Sequence, residues 1–197
     1  MQKGYSVEGD VLVINRELTD LDFFVKDFLE ILKKYSGYLI VSGFVSISTG
    51  RSRGTEDVDI LVPVMEKEKF SEFFNELKEK GFWCYQGDDS DKVYPYVQEK
   101  TNIRFAKVNE MFPNMEFISI DETRKAKHFE FTHPQKIKIR DFEFNIPPLE
   151  FEILYKEIVL GSEKDMIDAL HLRTVFSEIL SIERFKEFES IVRSENE

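Results

Sequence analysis

Two aspartates two residues apart, Asp57 and Asp59, open an otherwise apolar run, Asp57-Val58-Asp59-Ile60-Leu61-Val62. In a strand, a period of two puts both carboxylates on one face and sends Val58 and Ile60 into the core on the other. Like charges held that close repel unless a cation sits between them. Mg²⁺ suits the role, because it takes a few carboxylate oxygens and leaves room for substrate phosphates. Upstream, Gly43 is expected to end a strand and open a short helix, a turn whose backbone N–H groups attract anions. Ser42, Ser46, Ser48 and Thr49 add hydroxyls near that turn. Arg51 and Arg53 fall between the turn and the carboxylates, where guanidinium groups clamp a triphosphate or a leaving pyrophosphate. The same arginines also fit a solvated loop or a pairing with Glu56, and Asp-x-Asp alone also fits a wet strand end. Taken together, the three features point to metal-assisted transfer of a nucleotidyl group, a reaction driven mainly by positioning and charge neutralisation.

These residues need elements to hold them. Val11 to Ile14 reads as a first strand. Thr19 is placed to cap a helix with Leu21, Phe24, Phe28, Ile31 and Tyr35 on one side, and Gly37 is expected to stop it. Tyr38 to Val41 and Asp57 to Val64 read as strands on either side of the glycine turn. Glu66 to Lys80 reads as an amphipathic helix, with Phe70, Phe73, Phe74 and Leu77 inward and Gly81 as its stop. Asn102 to Ala106, Met115 to Ile120, and a hairpin of Lys136 to Arg140 with Phe142 to Asn145 complete the strands. Beyond Pro147-Pro148 every segment reads as helix: Leu149 to Leu160, then one capped by Ser162 with Met166, Ala169, Leu170 and Phe176 inward, then one marked by Phe185, Phe188, Ile191 and Val192. The expectation is an α/β (α+β) chain with a small mixed sheet flanked by helices over residues 1–147, followed by a C-terminal helical segment, 148–197.

Composition bounds the rest. The chain has 197 residues, 42% hydrophobic, with 27 basic against 38 acidic side chains and a net charge of −11. That acidity argues against non-specific nucleic-acid binding, which needs cations to displace phosphate counterions. The single cysteine, Cys84, excludes an intramolecular disulfide and a cysteine-based zinc cluster, and it reads as a buried apolar residue. His128, His133 and His171 lack metal-ligand spacing. No apolar run approaches the ~18 residues a membrane span needs, and the first residues lack a signal peptide's apolar stretch. The expectation is a cytoplasmic protein with no membrane partner.

The stretch Val41 to Val62 resembles the nucleotidyltransferase superfamily typified by DNA polymerase beta. Ser42-Gly43-Phe44 stands for the glycine signature, and Asp57-Val58-Asp59-Ile60 for the acidic strand, 14 positions after Gly43. The polar run Gly50 to Glu56 is similar to the loop of small prokaryotic members, the minimal nucleotidyltransferases and the AbiEii-type toxins. Lys156 and Lys164-Asp165-Met166-Ile167-Asp168 fit the lysine and basic-Asp-x-x-Asp segment such proteins carry. The resemblance implies Mg²⁺ as cofactor and a nucleoside triphosphate as substrate. It implies metal ligation by Asp57 and Asp59, and phosphate or nucleotide contacts from Gly43, Ser46, Arg53, Lys156, Lys164 and Asp165. It also implies a third carboxylate on a later strand, binding metal and taking the nucleophile's proton. Glu116, flanked by apolar residues, is the first candidate and Asp121 the second. Phe44 departs from the family's small residue. Either it narrows the pocket or the Ser46 hydroxyl substitutes. Lys156, Lys164 and Asp165 also fit plain helix roles, Asp165 at a helix N-terminus and Asp168 in a pair with Arg173 or Lys164.

The function these readings imply is transfer of a nucleoside monophosphate from a nucleoside triphosphate to a protein hydroxyl or an RNA acceptor, in the manner of the toxin-like relatives. A small antitoxin-like partner with a basic surface fits the acidic charge. The alternative is a catalytically degenerate module of the same fold that binds nucleotide or protein, which Phe44 favours and the retained Asp57 and Asp59 disfavour.

Overall fold

Alternation of apolar and acidic residues decides how the central strands lie. The computed structural model describes residues 4–196, and places Asp57–Pro63 in a strand whose Val58 and Ile60 are fully buried while Asp57 and Asp59 stay half-exposed. Nine strands and eight α-helices are seen among the described residues. The strands are β1 (Tyr5–Glu8), β2 (Val11–Ile14), β3 (Leu39–Ile40), β4 (Asp57–Pro63), β5 (Phe82–Cys84), β6 (Ile103–Lys107), β7 (Asn114–Ile120), β8 (Gln135–Ile139) and β9 (Phe142–Ile146). The helices are α1 (Asp20–Leu32), α2 (Gly43–Ser48), α3 (Lys67–Glu79), α4 (Ser90–Gln98), α5 (Lys125–Thr132), α6 (Leu149–Tyr155), α7 (Glu163–Val175) and α8 (Ile182–Arg193). The mixed α/β class is as expected from the sequence. Among the described residues no helix is long and apolar enough to cross a membrane.

The chain forms two compact units. The first comprises Met1–Glu17, Ile40–Arg53 and Glu122–Glu197, and the second Leu18–Leu39 and Gly54–Asp121. The boundary expected at Pro147-Pro148 falls inside the first.

In the second unit a five-stranded sheet runs in the order β3-β4-β7-β6-β5. β4 and β7 are parallel, and β7-β6 and β6-β5 are antiparallel. One face is an aromatic core, with Phe28 of α1 and Phe73 of α3 packed against each other and against Phe105 of β6. Rings in offset or edge-on contact add to the area they bury. Helix α1 begins with a reciprocal cap. The Thr19 hydroxyl accepts from the Asp22 N–H, and the Asp22 carboxylate accepts from the Thr19 N–H at 2.7 Å. The helix ends at Leu32 rather than at Gly37, because residues 33–36 close tight turns onto the carbonyls of Leu29, Ile31 and Leu32. Gly81, at φ +79°, stops α3 as expected.

The first unit carries a four-stranded sheet, β1-β2-β8-β9. β2 lies parallel to β8, so Ile14 sits beside Ile139, and Arg140 and Asp141 turn the chain into β9. Phe44 of α2 is fully buried against Phe144 of β9. Its bulk is core, which accounts for a large residue at that position. The helix expected to run unbroken to Leu160 is α-helical only to Tyr155. Residues Lys156–Leu160 widen into a π-helix, closed by Gly161 in the left-handed region. Such widenings recur at functional positions. Ser162 caps α7 as expected, accepting from the Asp165 N–H at 3.2 Å. The inward face of α7 differs from the expectation. Ala169 and Phe176 are buried as expected, but Met166 and Leu170 are 46% and 62% exposed, and Asp168 and Leu172 are buried in their place.

A buried charge near the C-terminal helices gives this unit a pH response. Burial pushes the Glu130 carboxyl up to about 7, against the opposing effect of Lys127 at 2.9 Å. The folded state therefore holds the Glu130 proton more tightly than the unfolded chain does. The resulting stability is complete below about pH 4.5 and is lost as pH rises through about 7. Denaturation midpoints measured from pH 5 to pH 8 should fall less for Glu130→Gln than for the wild type.

Candidate functional site

Register brings the predicted acidic residues together. β4 pairs with β7 so that Asp59 lies beside Glu116 and Asp57 beside Asn114. Side chains in register on parallel neighbours share a face, as do residues two apart. Asp57, Asp59 and Glu116 thus converge, each offering a carboxylate oxygen within 4.8 Å of the others, and all three are half-buried. Asp121, the second candidate, lies past the end of β7 and pairs with Lys100 at 2.7 Å.

Neighbours fix the Glu116 carboxylate. Arg104, opposite it on β6, donates from Nη2 to one oxygen at 2.9 Å, and Asn102 donates from Nδ2 to the other at 2.7 Å. Each oxygen keeps a second lone pair. The Glu116 hydrogen bond is the largest influence raising the Arg104 pKa, so this guanidinium stays charged. On β4, the Thr55 hydroxyl donates to the Asp57 main-chain carbonyl at 2.8 Å and lies 3.3 Å from the Asp57 carboxylate. Sequence reading missed Arg104 and Asn102. The available signal was Arg104 itself, a lone charge inside an apolar strand.

The donor set fits a hard divalent cation. Three carboxylate oxygens with no sulfur or imidazole suit Mg²⁺ or Mn²⁺ rather than zinc. Three negative groups this close also repel, and a cation relieves that cost.

The remaining predicted residues lie in the first unit. Gly43 is the first residue of α2, after Ser42 at φ +63°. A side chain at Gly43 would meet the Arg53 guanidinium, so glycine leaves room for that group against the start of α2. Arg53 Nη2 also contacts Asp168 at 3.0 Å, and Arg51 pairs with the same carboxylate. Lys156, fully buried at the start of the π-helix, lies 3.4 Å from Asp168 and 3.0 Å from Glu152. Asp168 therefore gathers Arg51, Arg53 and Lys156, in place of the expected pairing with Arg173 or Lys164. Arg173 instead pairs with Glu157 at 2.7 Å. Arg51 and Arg53 are thus held within the fold, at 15% and 11% side-chain exposure, and not left as solvated loop charges. Ser46 is buried in α2, and its hydroxyl has no hydrogen-bond partner among the described residues. Lys164 is exposed in the first turn of α7, next to the capping Asp165.

No protein-family model matches the chain, and no curated protein matches it. Among solved structures, the chain is similar to an antigenic nucleotidyltransferase-like protein from Paracoccidioides brasiliensis. The identity is 13% and the TM-score 0.48, over 90% of this chain and 95% of that one.

His171 and Cys84 complete the reactive side chains. His171 lies 3.3 Å from the Thr49 hydroxyl, and burial lowers its pKa. Cys84 is buried behind the sheet, and burial pushes its thiol up to about 11, which leaves it unreactive.

Proposed function

We propose that the chain is a nucleotidyltransferase that holds a divalent metal ion on Asp57, Asp59 and Glu116 and moves a nucleoside monophosphate from a nucleoside triphosphate to a hydroxyl acceptor. The observation that carries this reading is the convergence of the three carboxylates on one sheet face, two from the Asp-x-Asp strand and one from its parallel neighbour. The resemblance of the Ser42-Gly43-Phe44 and Asp57-Val58-Asp59-Ile60 segments to the nucleotidyltransferase superfamily supports the same reading.

In this reading the acceptor oxygen attacks the α-phosphorus. The bond to the bridging oxygen breaks, and pyrophosphate leaves with the electron pair. The acceptor's proton passes to Glu116, whose orientation Arg104 and Asn102 fix from both oxygens. Asp57 and Asp59, carried by one strand whose alternate residues are locked in the core, keep their spacing through the reaction. A bound Mg²⁺ would neutralise charge developing on the phosphoryl oxygens. The resemblance extends the proposal to phosphate contacts at Gly43, Ser46 and Arg53 and to nucleotide contacts at Lys164 and Asp165, whereas Lys156, fully buried against Asp168 and Glu152, is read as holding the fold. The acceptor is a protein hydroxyl or an RNA end, and a small antitoxin-like partner remains part of the proposal.

Calorimetric titration with ATP, CTP, GTP and UTP, each with and without Mg²⁺, tests it. At least one triphosphate should bind only with the metal. Absence of binding by all four at millimolar concentration would overturn the reading.

A further inference from the structure

The sheet face that carries the carboxylates continues past them. β5 adds the last strand, with Trp83 opposite Ala106 and Tyr85 hydrogen-bonded from its N–H to the Arg104 carbonyl at 2.9 Å. By register, Asp59, Glu116, Arg104 and Tyr85 form one row across four strands. Asp57, Asn114, Ala106 and Trp83 form the next. The intervening residues Phe82, Cys84, Phe105 and Met115 are buried on the opposite face. At the spacing of neighbouring strands, Tyr85 stands about 10 Å from Glu116, backbone to backbone.

Trp83 and Tyr85 are stacked on each other, with ring centroids 4.6 Å apart and planes 16° from parallel. Polar atoms at the edges of both rings are tied to the loop between β6 and β7. The indole N–H donates to the carbonyls of Lys107 and Glu110 at 3.1 and 2.9 Å, and the Tyr85 hydroxyl donates to the Met111 carbonyl. The rings remain half-exposed, and the same loop leaves Met111 and Phe112 59% and 51% exposed. Four large apolar side chains kept partly in water, two at the end strand and two on the β6–β7 loop tied to it, form a grouping rather than the scattered exposure normal for a surface. The folded core gains nothing from leaving flat rings in solvent.

We propose that the Trp83–Tyr85 pair is a stacking platform for a nucleobase, set on the Glu116 side of the carboxylates with the Arg104 guanidinium between them. The inference rests on the transferase reading for its ligand. Planar heteroaromatic rings stack on such pairs whatever their sequence, and a neighbouring guanidinium meets the phosphate or sugar attached to the base. The base belongs either to the incoming nucleotide or to the end of an acceptor strand. A platform beyond Glu116, on the side away from Asp57 and Asp59, favours the acceptor strand.

Trp83 is the only tryptophan, so its emission reports this position alone. The full chain with Mg²⁺ is titrated with ATP, CTP, a short oligoadenylate and inorganic tripolyphosphate, following fluorescence and calorimetry together. A base-bearing ligand should quench Trp83, and tripolyphosphate should bind without quenching. Quenching by the mononucleotides assigns the base to the donor, and quenching by the oligonucleotide alone assigns it to the acceptor. Tyr85→Leu should weaken the quenching ligand about tenfold and leave tripolyphosphate unchanged, while Tyr85→Phe should retain wild-type affinity. Binding of base-bearing ligands without quenching, or equal affinity in Tyr85→Leu, overturns the platform. Failure of the transferase reading shows separately, as loss of metal-dependent binding by tripolyphosphate and by the mononucleotides.

Discussion

Asp57→Asn is expected to slow metal-dependent transfer severely and, without metal, to leave the protein more stable than the wild type. The two effects have opposite signs because they share one cause. Three carboxylates offering oxygens within 4.8 Å of each other repel, and removing one formal charge relieves that repulsion. The same change removes a metal ligand. Charge stabilisation by a metal ion at a phosphoryl centre is worth several kcal/mol, so the transfer rate should fall on the order of a thousandfold. Asparagine is nearly isosteric and keeps an oxygen to accept from Thr55, and the position is half-exposed, so the strand should persist. Thermal melting with and without Mn²⁺ separates the two effects. Metal should raise the wild-type melting temperature by binding only the folded state, and should leave that of the variant unchanged. A purely structural role for Asp57 predicts instead a variant less stable under both conditions.

Asp168→Ala should be the most destabilising change among the charged residues of the first unit. Asp168 and Lys156 are fully buried, and the Arg51 and Arg53 side chains are only 15% and 11% exposed. Removing the shared carboxylate leaves two guanidinium groups without it and Lys156 with Glu152 alone. Breaking a buried pair from one side costs about 3–5 kcal/mol, because the stranded charge keeps its desolvation penalty. The midpoint of urea denaturation measures this. Lys136→Ala, which breaks the half-exposed cross-strand pair with Glu143, is the comparison. It should cost no more than about 1 kcal/mol.

Asp168 also explains where reading the sequence succeeded and where it did not. Strong periodicity made α1, α3 and β4 legible, together with the acidic pair, while the third carboxylate, Glu116, was implied by the family resemblance. In α7 two of the apolar residues expected inward, Met166 and Leu170, face outward. Met166 and Leu170 are each two positions from Asp168, which on a helix is about 200° around the axis. Burying the carboxylate against Arg51, Arg53 and Lys156 therefore turns both apolar side chains outward. A hydrophobic pattern cannot report a helix face fixed by an ion cluster whose other members lie far away in sequence. β1, β5 and α4 were missed for local reasons. β1 buries only Tyr5 and so shows no apolar alternation, β5 has three residues, and α4 carries Pro95 in its interior. The aromatic pair escaped notice because Trp83 and Tyr85 flank Cys84 in a strand too short to show its alternation.

The division of the chain sets an order of events during synthesis. Every residue of the second unit precedes Glu122, so its sheet and all three carboxylates are available once Asp121 has been made. The first unit waits. β2 finds its parallel partner only when Gln135–Ile139 emerges, and Arg51 and Arg53 meet their shared carboxylate only when Asp168 does. A nascent chain grows at about 5–20 residues per second and folds by units. The 47 positions from Asp121 to Asp168 therefore correspond to a few seconds in which the carboxylates exist while Arg51 and Arg53 still lack their shared partner.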